Sequence, residues 1–174
     1  MAPQESIDIL QCLRDSRAEF LAAAAGLSEA HATMSPAPGR WSVVECVKHV
    51  VIVESMVLSS LRNPIAEPAP PVNKEREAQI LSRVTDRTRA VQAPEPVRPS
   101  GRVATLALAL AEFEAIRAEG IHFAQRQGGG LYSLAMKHPF FGICNGSEAM
   151  VLIAAHSRRH AAQIREIREI SPAL

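Results

Sequence analysis

The sequence predicts an all-α fold: a four-helix bundle with one long crossover connection that carries a short extra helix. Three observations predict it. Apolar residues recur at steps of three and four in long segments, and strand-like alternation persists nowhere. Aromatic residues make up only 4% of the chain, while alanine, leucine, valine and isoleucine abound, a mixture that suits helix-on-helix packing better than a sandwich or barrel core. Two proline-rich stretches, 63–73 and 93–100, flank a short charged segment and form the crossover. At 174 residues the chain is predicted to be one domain, 1–174, long enough to bury a substantial core.

The elements follow in chain order. Ile9, Leu10, Leu13, Phe20, Leu21, Ala24 and Leu27 predict a first helix over 6–32, stopped by Pro36 and Pro38. Ser42, with Glu45 three residues on, has the spacing of a capping box. The helix it opens, 42–62, is apolar around most of its circumference and is therefore expected to be buried. Residues 74–91 are charged and weakly periodic, which predicts a shorter, exposed helix. A third core helix is expected over 102–127, ending at Gly128, Gly129 and Gly130. After a loop over 131–146, Ser147 is the expected cap of a last helix running to about Ile170, ahead of Pro172.

Composition excludes several classes. A formal net charge of +1 gives no global field toward nucleic acid or an anionic membrane. No basic stripe interleaved with aromatics exists, so no nucleic-acid partner is expected. The longest uncharged apolar stretch, 103–111, is far too short to span a bilayer. Cys12, Cys46 and Cys144 show no paired spacing, and the first ten residues lack the features of a signal peptide; both point to the cytoplasm.

The chemistry concentrates on the last helix. His156 and His160 lie one turn apart on one face. Ile153, His156, His160, Ile164 and Ile167 form a row at steps of three and four, and Arg158, Arg159, Arg165, Glu166, Arg168 and Glu169 lie off it. Both imidazoles therefore point into the bundle with the isoleucines. Paired imidazoles in an apolar interior are costly unless something satisfies them. A divalent ion such as zinc or nickel does so, because neutral imidazole is a good ligand for it. A surface pair with no ligand is the competing reading of the spacing. On the second helix, His49 falls beside Cys46, Val53 and Met56 at the edge of the apolar face. It reaches the last helix if the two pack as neighbours; otherwise it is a core or rim histidine. Three imidazoles and a water would form an open site of the catalytic type.

Other residues carry alternatives. His31, at a helix end, is expected to be solvated and His122 to be structural. His138 precedes a proline in a loop and is a candidate catalytic group. Glu45, one turn before His49, is a candidate base or ligand-orienting group, with capping as its other role. Glu112, Glu114 and Arg117 are further candidates that are otherwise solvated charges, Arg158 and Arg159 read as a solvated face, and Cys46 reads as a small core residue. Ser157 stands where the H-E-x-x-H pattern would place its glutamate, so the usual metalloprotease base is missing.

Several segments together resemble the DinB-like superfamily. Trp41-Ser42-Val43-Val44-Glu45 followed by His49 resembles its W-S-x-x-E-x-x-x-H stretch. His138-Pro139-Phe140-Phe141-Gly142 resembles its loop before the last helix, and 156–164 resembles its H-x-x-R-H-x-x-Q-I segment. Pro99-Ser100-Gly101, followed by a helix bearing Arg117, is also similar. The resemblance runs from about Arg40 to the end, with the parts in order. It implies a four-helix bundle in which His49, His156 and His160 bind a divalent metal ion, and a homodimer. It also implies a small-molecule substrate, with a low-molecular-weight thiol as co-substrate of an S-transferase. A metal-dependent hydrolase and a non-catalytic bundle that binds metal or a small ligand are the alternatives.

Overall fold

The computed structural model describes residues 7–88, 91–99 and 105–170. The expected helix starts at Ser6 and Arg102, the Ser100–Gly101 pair and Pro172 lie outside those residues.

Four long helices form the bundle: α1 (Ile9–Ala24), α3 (Val43–Arg62), α5 (Leu106–Gln127) and α6 (Gly146–Ile170). They pack in a ring in the order α1, α6, α3, α5, so α3 and α6 are neighbours. Short α2 (Glu29–Thr33) links α1 to α3, and α4 (Lys74–Thr85), carried by the crossover, packs on the outside of α6. A 3-10 turn, Glu95–Val97, lies on the return toward α5. A two-stranded antiparallel hairpin, β1 (Ala135–His138) and β2 (Gly142–Asn145), precedes α6. No described helix is long and apolar enough to cross a membrane.

Local chemistry explains where the elements depart from expectation. The first helix ends at Ala24 and not near residue 32, because Gly26 takes φ +73° and Ser28 starts a new helix by accepting from the His31 backbone N–H. The crossover helix stops at Thr85, six residues before Val91. Asn145, and not Ser147, caps α6: its side chain accepts from the Glu148 N–H at 2.9 Å, and the Glu148 carboxylate accepts from the Asn145 N–H at 3.1 Å. Ser147 is buried and donates to Glu77. Within the expected loop, strands of four residues are too short for alternation to register as a pattern. Gly146 sits where a Cβ would overlap the Leu131 carbonyl oxygen, so only glycine lets α6 start against the turn that precedes the hairpin.

The core has two apolar ends. One gathers Phe20, Val47, Val50, Phe113, Ile164 and Ile167; the other gathers Leu13, Leu58, Leu61, Phe123, Met150 and Ile153. Between them lies a buried charged cluster. Arg117, fully buried, donates from Nε to Glu54 at 3.1 Å, from Nη1 to the Leu13 carbonyl at 2.9 Å and to Ser16 at 2.7 Å, and from Nη2 to Ser157 at 2.6 Å and to Glu54. These groups come from all four long helices, so one side chain ties the bundle at mid-height.

Candidate metal centre

His49 comes from α3, whose start the Ser42–Glu45 capping box fixes: the Ser42 N–H donates to Glu45 at 2.7 Å and the Glu45 N–H to Ser42 at 3.2 Å. His156 and His160 come from α6, on the row whose other members, Ile153, Ile164 and Ile167, are buried. Because α3 and α6 are neighbours, the three rings meet. The His156 Nε2 lies 3.1 Å from the His49 Nε2 and 3.2 Å from the His160 Nε2. His49 and His160 are buried, and His156 is half-buried.

The tautomer of His49 follows from its partner. Its Nδ1 lies 2.6 Å from the Val97 carbonyl, which can only accept, so Nδ1 carries the proton and Nε2 offers a lone pair. This carbonyl belongs to the crossover's 3-10 turn, and no side-chain pattern could have revealed it. Trp41 stands over the cluster, its ring centroid 4.8 Å from that of His49 and 6.4 Å from that of His160. The Nδ1 atoms of His156 and His160 are buried without a partner in hydrogen-bonding geometry, although the Gln163 side chain is close enough to favour the charged form of His160.

Electrostatics keep the rings neutral. Burial, first, and then the neighbouring His49 and Arg159 hold His156 well below the ordinary imidazole range. Burial and then His156, His49 and Arg159 do the same to His160. Burial lowers His49 too, against the opposing pull of the Val97 carbonyl. Neutral imidazole is the ligand form. Nitrogens bound tetrahedrally at about 2.0–2.1 Å would stand about 3.3 Å apart, close to the two spacings that the His156 Nε2 makes, so the donor set suits a zinc-sized ion. The candidate ligand atoms all lie within 4.8 Å of one another, and the group could hold a metal ion.

The remaining candidates are dispersed. The Glu45 carboxylate is engaged in the cap. His138, half-buried on β1, accepts the Phe140 N–H at Nδ1 (3.2 Å), packs 5.2 Å from the Phe141 ring, and is close enough for its charge to act on His156. Cys46 is buried and its thiol is pushed up to about 12 by burial. Glu112 is exposed, and Glu114 pairs with Arg17 at 2.7 Å on the surface. Arg117 is no solvated charge but the buried tie described above. Its partner Glu54 was not visible as a candidate, since nothing links two residues 63 apart except the fold. Arg158 and Arg159 are half-buried and not a solvated face: α1 and α4 flank α6, so Arg158 pairs with Glu19 at 3.1 Å and Arg159 donates to the Val84 and Asp86 carbonyls. His31 is half-buried with its Nδ1 2.8 Å from Ser28, and His122 is exposed on α5, not structural.

The four long helices form a ring in which three imidazoles from two neighbouring members meet, a group that could hold a metal ion. The chain belongs to the DinB superfamily, whose family model matches residues 13–164. Among solved structures it is similar to YfiT from Bacillus subtilis, described as "a probable metal-dependent hydrolase with an unusual four-helix bundle topology". That likeness has a TM-score of 0.62 at 17% identity and covers 97% of this chain and 92% of YfiT, which establishes the shared fold. No curated protein matches.

Proposed function

We propose that the chain is a divalent-metal-dependent enzyme that transfers a thiol to a small electrophile, with His49, His156 and His160 as the metal ligands. Zinc or nickel is the proposed ion. The observation that carries the reading is the convergence of three Nε2 atoms at 3.1 and 3.2 Å from two helices, in rings that their surroundings keep neutral. When bound, the ion would act as a Lewis acid that lowers the pKa of a ligand in the open position.

The chain's own groups favour a thiol over water as that ligand. Activation of water commonly relies on a nearby carboxylate base. Here Glu45 is held by the Ser42 N–H and Glu54 by Arg117 and Ser157, so neither is available. A thiol with a lowered pKa is already a nucleophile and needs no base. Its sulfur would form the new bond to carbon while the leaving group departs with the bonding pair. His138, with Nδ1 occupied as an acceptor, is protonated at Nε2 when neutral and is the proposed donor to that leaving group. Ile52, Val53 and Met56 continue from His49 along α3, and Met56 is 47% exposed, an apolar strip suited to the electrophile's body.

Hydrolysis is the second reading, favoured by the description of YfiT. Two arms separate them. Metal-loaded protein is assayed with an activated aryl halide and a thiol, and with an ester panel without thiol. The proposal expects turnover that needs both metal and thiol and that His156→Ala abolishes. Ester turnover without thiol contradicts it in favour of hydrolysis, and transfer that survives His156→Ala contradicts both. The proposed homodimer is checked by light scattering on the same preparation.

A further inference from the structure

The crossover's return toward α5 meets the triad through a backbone atom, and what that contact does rests on the metal-site reading above. Residues 91–99 run along the outside of the bundle: none of them is buried, and none belongs to an apolar core cluster. The hydrogen bonds that shape the segment are its own. The Val97 N–H donates to the Pro94 carbonyl and the Arg98 N–H to the Glu95 carbonyl, both at 3.1 Å, and the Arg98 Nε donates to the Ala93 carbonyl at 2.9 Å. Among the described residues, one hydrogen bond joins the segment to the bundle, and it ends on a candidate ligand: the His49 Nδ1–H donates to the Val97 carbonyl at 2.6 Å. The α6 rings have no such hold, since the Nδ1 atoms of His156 and His160 are buried without a hydrogen-bond partner.

The bond fixes which edge of the His49 ring faces inward. Turned over by half a revolution, the ring would set a carbon against His156 and lose the carbonyl; held as it is, it keeps an unprotonated Nε2 3.1 Å from the His156 Nε2. The relation also runs in reverse. An imidazole ligated through one nitrogen is a stronger N–H donor through the other, and the carbonyl that accepts raises the basicity of the ligand nitrogen. Two events that each favour the other share one coupling free energy, whichever comes first. A segment without a buried side chain opens locally at small cost, so a single strengthened bond decides how firmly it is docked. We propose that the Glu95–Val97 turn is a metal-responsive strap: Val97 is a positioning residue that presents His49 to the ion, and occupancy of the triad fastens the turn to α3.

The test uses the full chain, metal-free and saturated with zinc. Hydrogen exchange at the Val97 and Arg98 amides, the donors of the turn's own bonds, should slow about tenfold when zinc is bound. Pro94→Gly/Pro96→Gly removes the two rings that preset the turn. Its zinc Kd, read by competition with a chelator, should rise about tenfold while its metal-free urea midpoint stays that of wild type. Pro68→Gly/Pro71→Gly, in the other proline-rich stretch, should leave the Kd within about twofold. Zinc that leaves both amides exchanging at their metal-free rates overturns the proposal. So does a turn variant that binds zinc as tightly as wild type, one that loses urea stability along with zinc, or an equal weakening by the Pro68 and Pro71 control, since the turn then serves only the frame. In each of those cases wild type still binds zinc and the metal-site reading stands. Wild type that binds no zinc at the triad sinks that reading and this inference with it.

Discussion

Two polar clusters are buried side by side in this bundle, meeting at adjacent residues His156 and Ser157, and they are built on opposite terms. The Arg117 cluster is closed. Every guanidinium nitrogen has an acceptor, the charge is balanced by Glu54, and the partners come from the other three long helices. The histidine cluster is open. Burial disfavours the charged form of its rings, and two of its Nδ1 atoms lack hydrogen-bond partners among the described residues. A polar group buried to hold a fold is satisfied from within the chain. A group buried to hold a ligand leaves its pairing to the ligand. The same helix, α6, serves both, with Ser157 facing the first cluster and His156 and His160 the second.

The contrast breaks most visibly through stability. Arg117→Met strands Glu54 as a buried charge and is expected to cost about 3–5 kcal/mol in urea unfolding. Adding Glu54→Leu should recover a large part of that loss, because once both charges are gone the Ser16 and Ser157 hydroxyls still donate to the Leu13 and Ile153 carbonyls. A cost below about 1 kcal/mol for Arg117→Met alone would mean that the cluster does not tie the bundle.

The triad should behave in the reverse way. His156→Ala removes only ring-to-ring hydrogen bonding between neutral imidazoles, so metal-free stability should change by no more than about 1 kcal/mol. Wild type should gain about 2.7 kcal/mol when zinc is present at a hundred times its Kd, and the variant should gain nothing. Thermal unfolding with and without zinc reads both. A variant that loses stability without metal yet still responds to zinc would reverse the assignment of the two clusters.

Acid sharpens the difference further. The α6 rings are held below their unfolded value, about 6.5, so the fold favours their neutral form. The resulting stability is fully present above the unfolded pKa and is lost as pH falls below it toward the depressed folded values, by up to about 1.4 kcal/mol per pH unit for each ring. Metal-free wild type should therefore weaken between pH 7 and 5 more steeply than His156→Asn/His160→Asn. Parallel slopes would show that the rings are not held neutral. The smallest effect concerns Cys46: with its thiol pushed up to about 12 by burial, it should resist alkylation at pH 8 in the native protein and react once the chain unfolds. Rapid native labelling at Cys46 would place it at an open surface instead.

Much of this architecture was legible beforehand. The row Ile153, His156, His160, Ile164 and Ile167 reveals its inward direction because helical periodicity sorts side chains by face, and Ser42 with Glu45 reveals the start of α3 because a cap is a local interaction. The break at Gly26, with Ser28 following, and the Asn145–Glu148 box were equally local and could have been read from the residues. The rest was not local. Glu54 and Arg117 are an acid on an apolar helix and a base on a charged one, and only the ring order of helices joins them. The Val97 carbonyl that orients His49 carries no side-chain signal at all. Four-residue strands are too brief to announce themselves.

The central claim is that three rings from α3 and α6 together bind one metal ion. Trp41, the chain's only tryptophan, stands 4.8 Å from the His49 ring and reports on it by fluorescence. Titration of the metal-free chain with cobalt(II), with elemental analysis of the dialysed product, should give quenching that saturates at one ion per chain, and His49→Ala should lose both the ion and the quenching. Retention of a full equivalent of metal by His49→Ala, or no binding by wild type, would contradict the account.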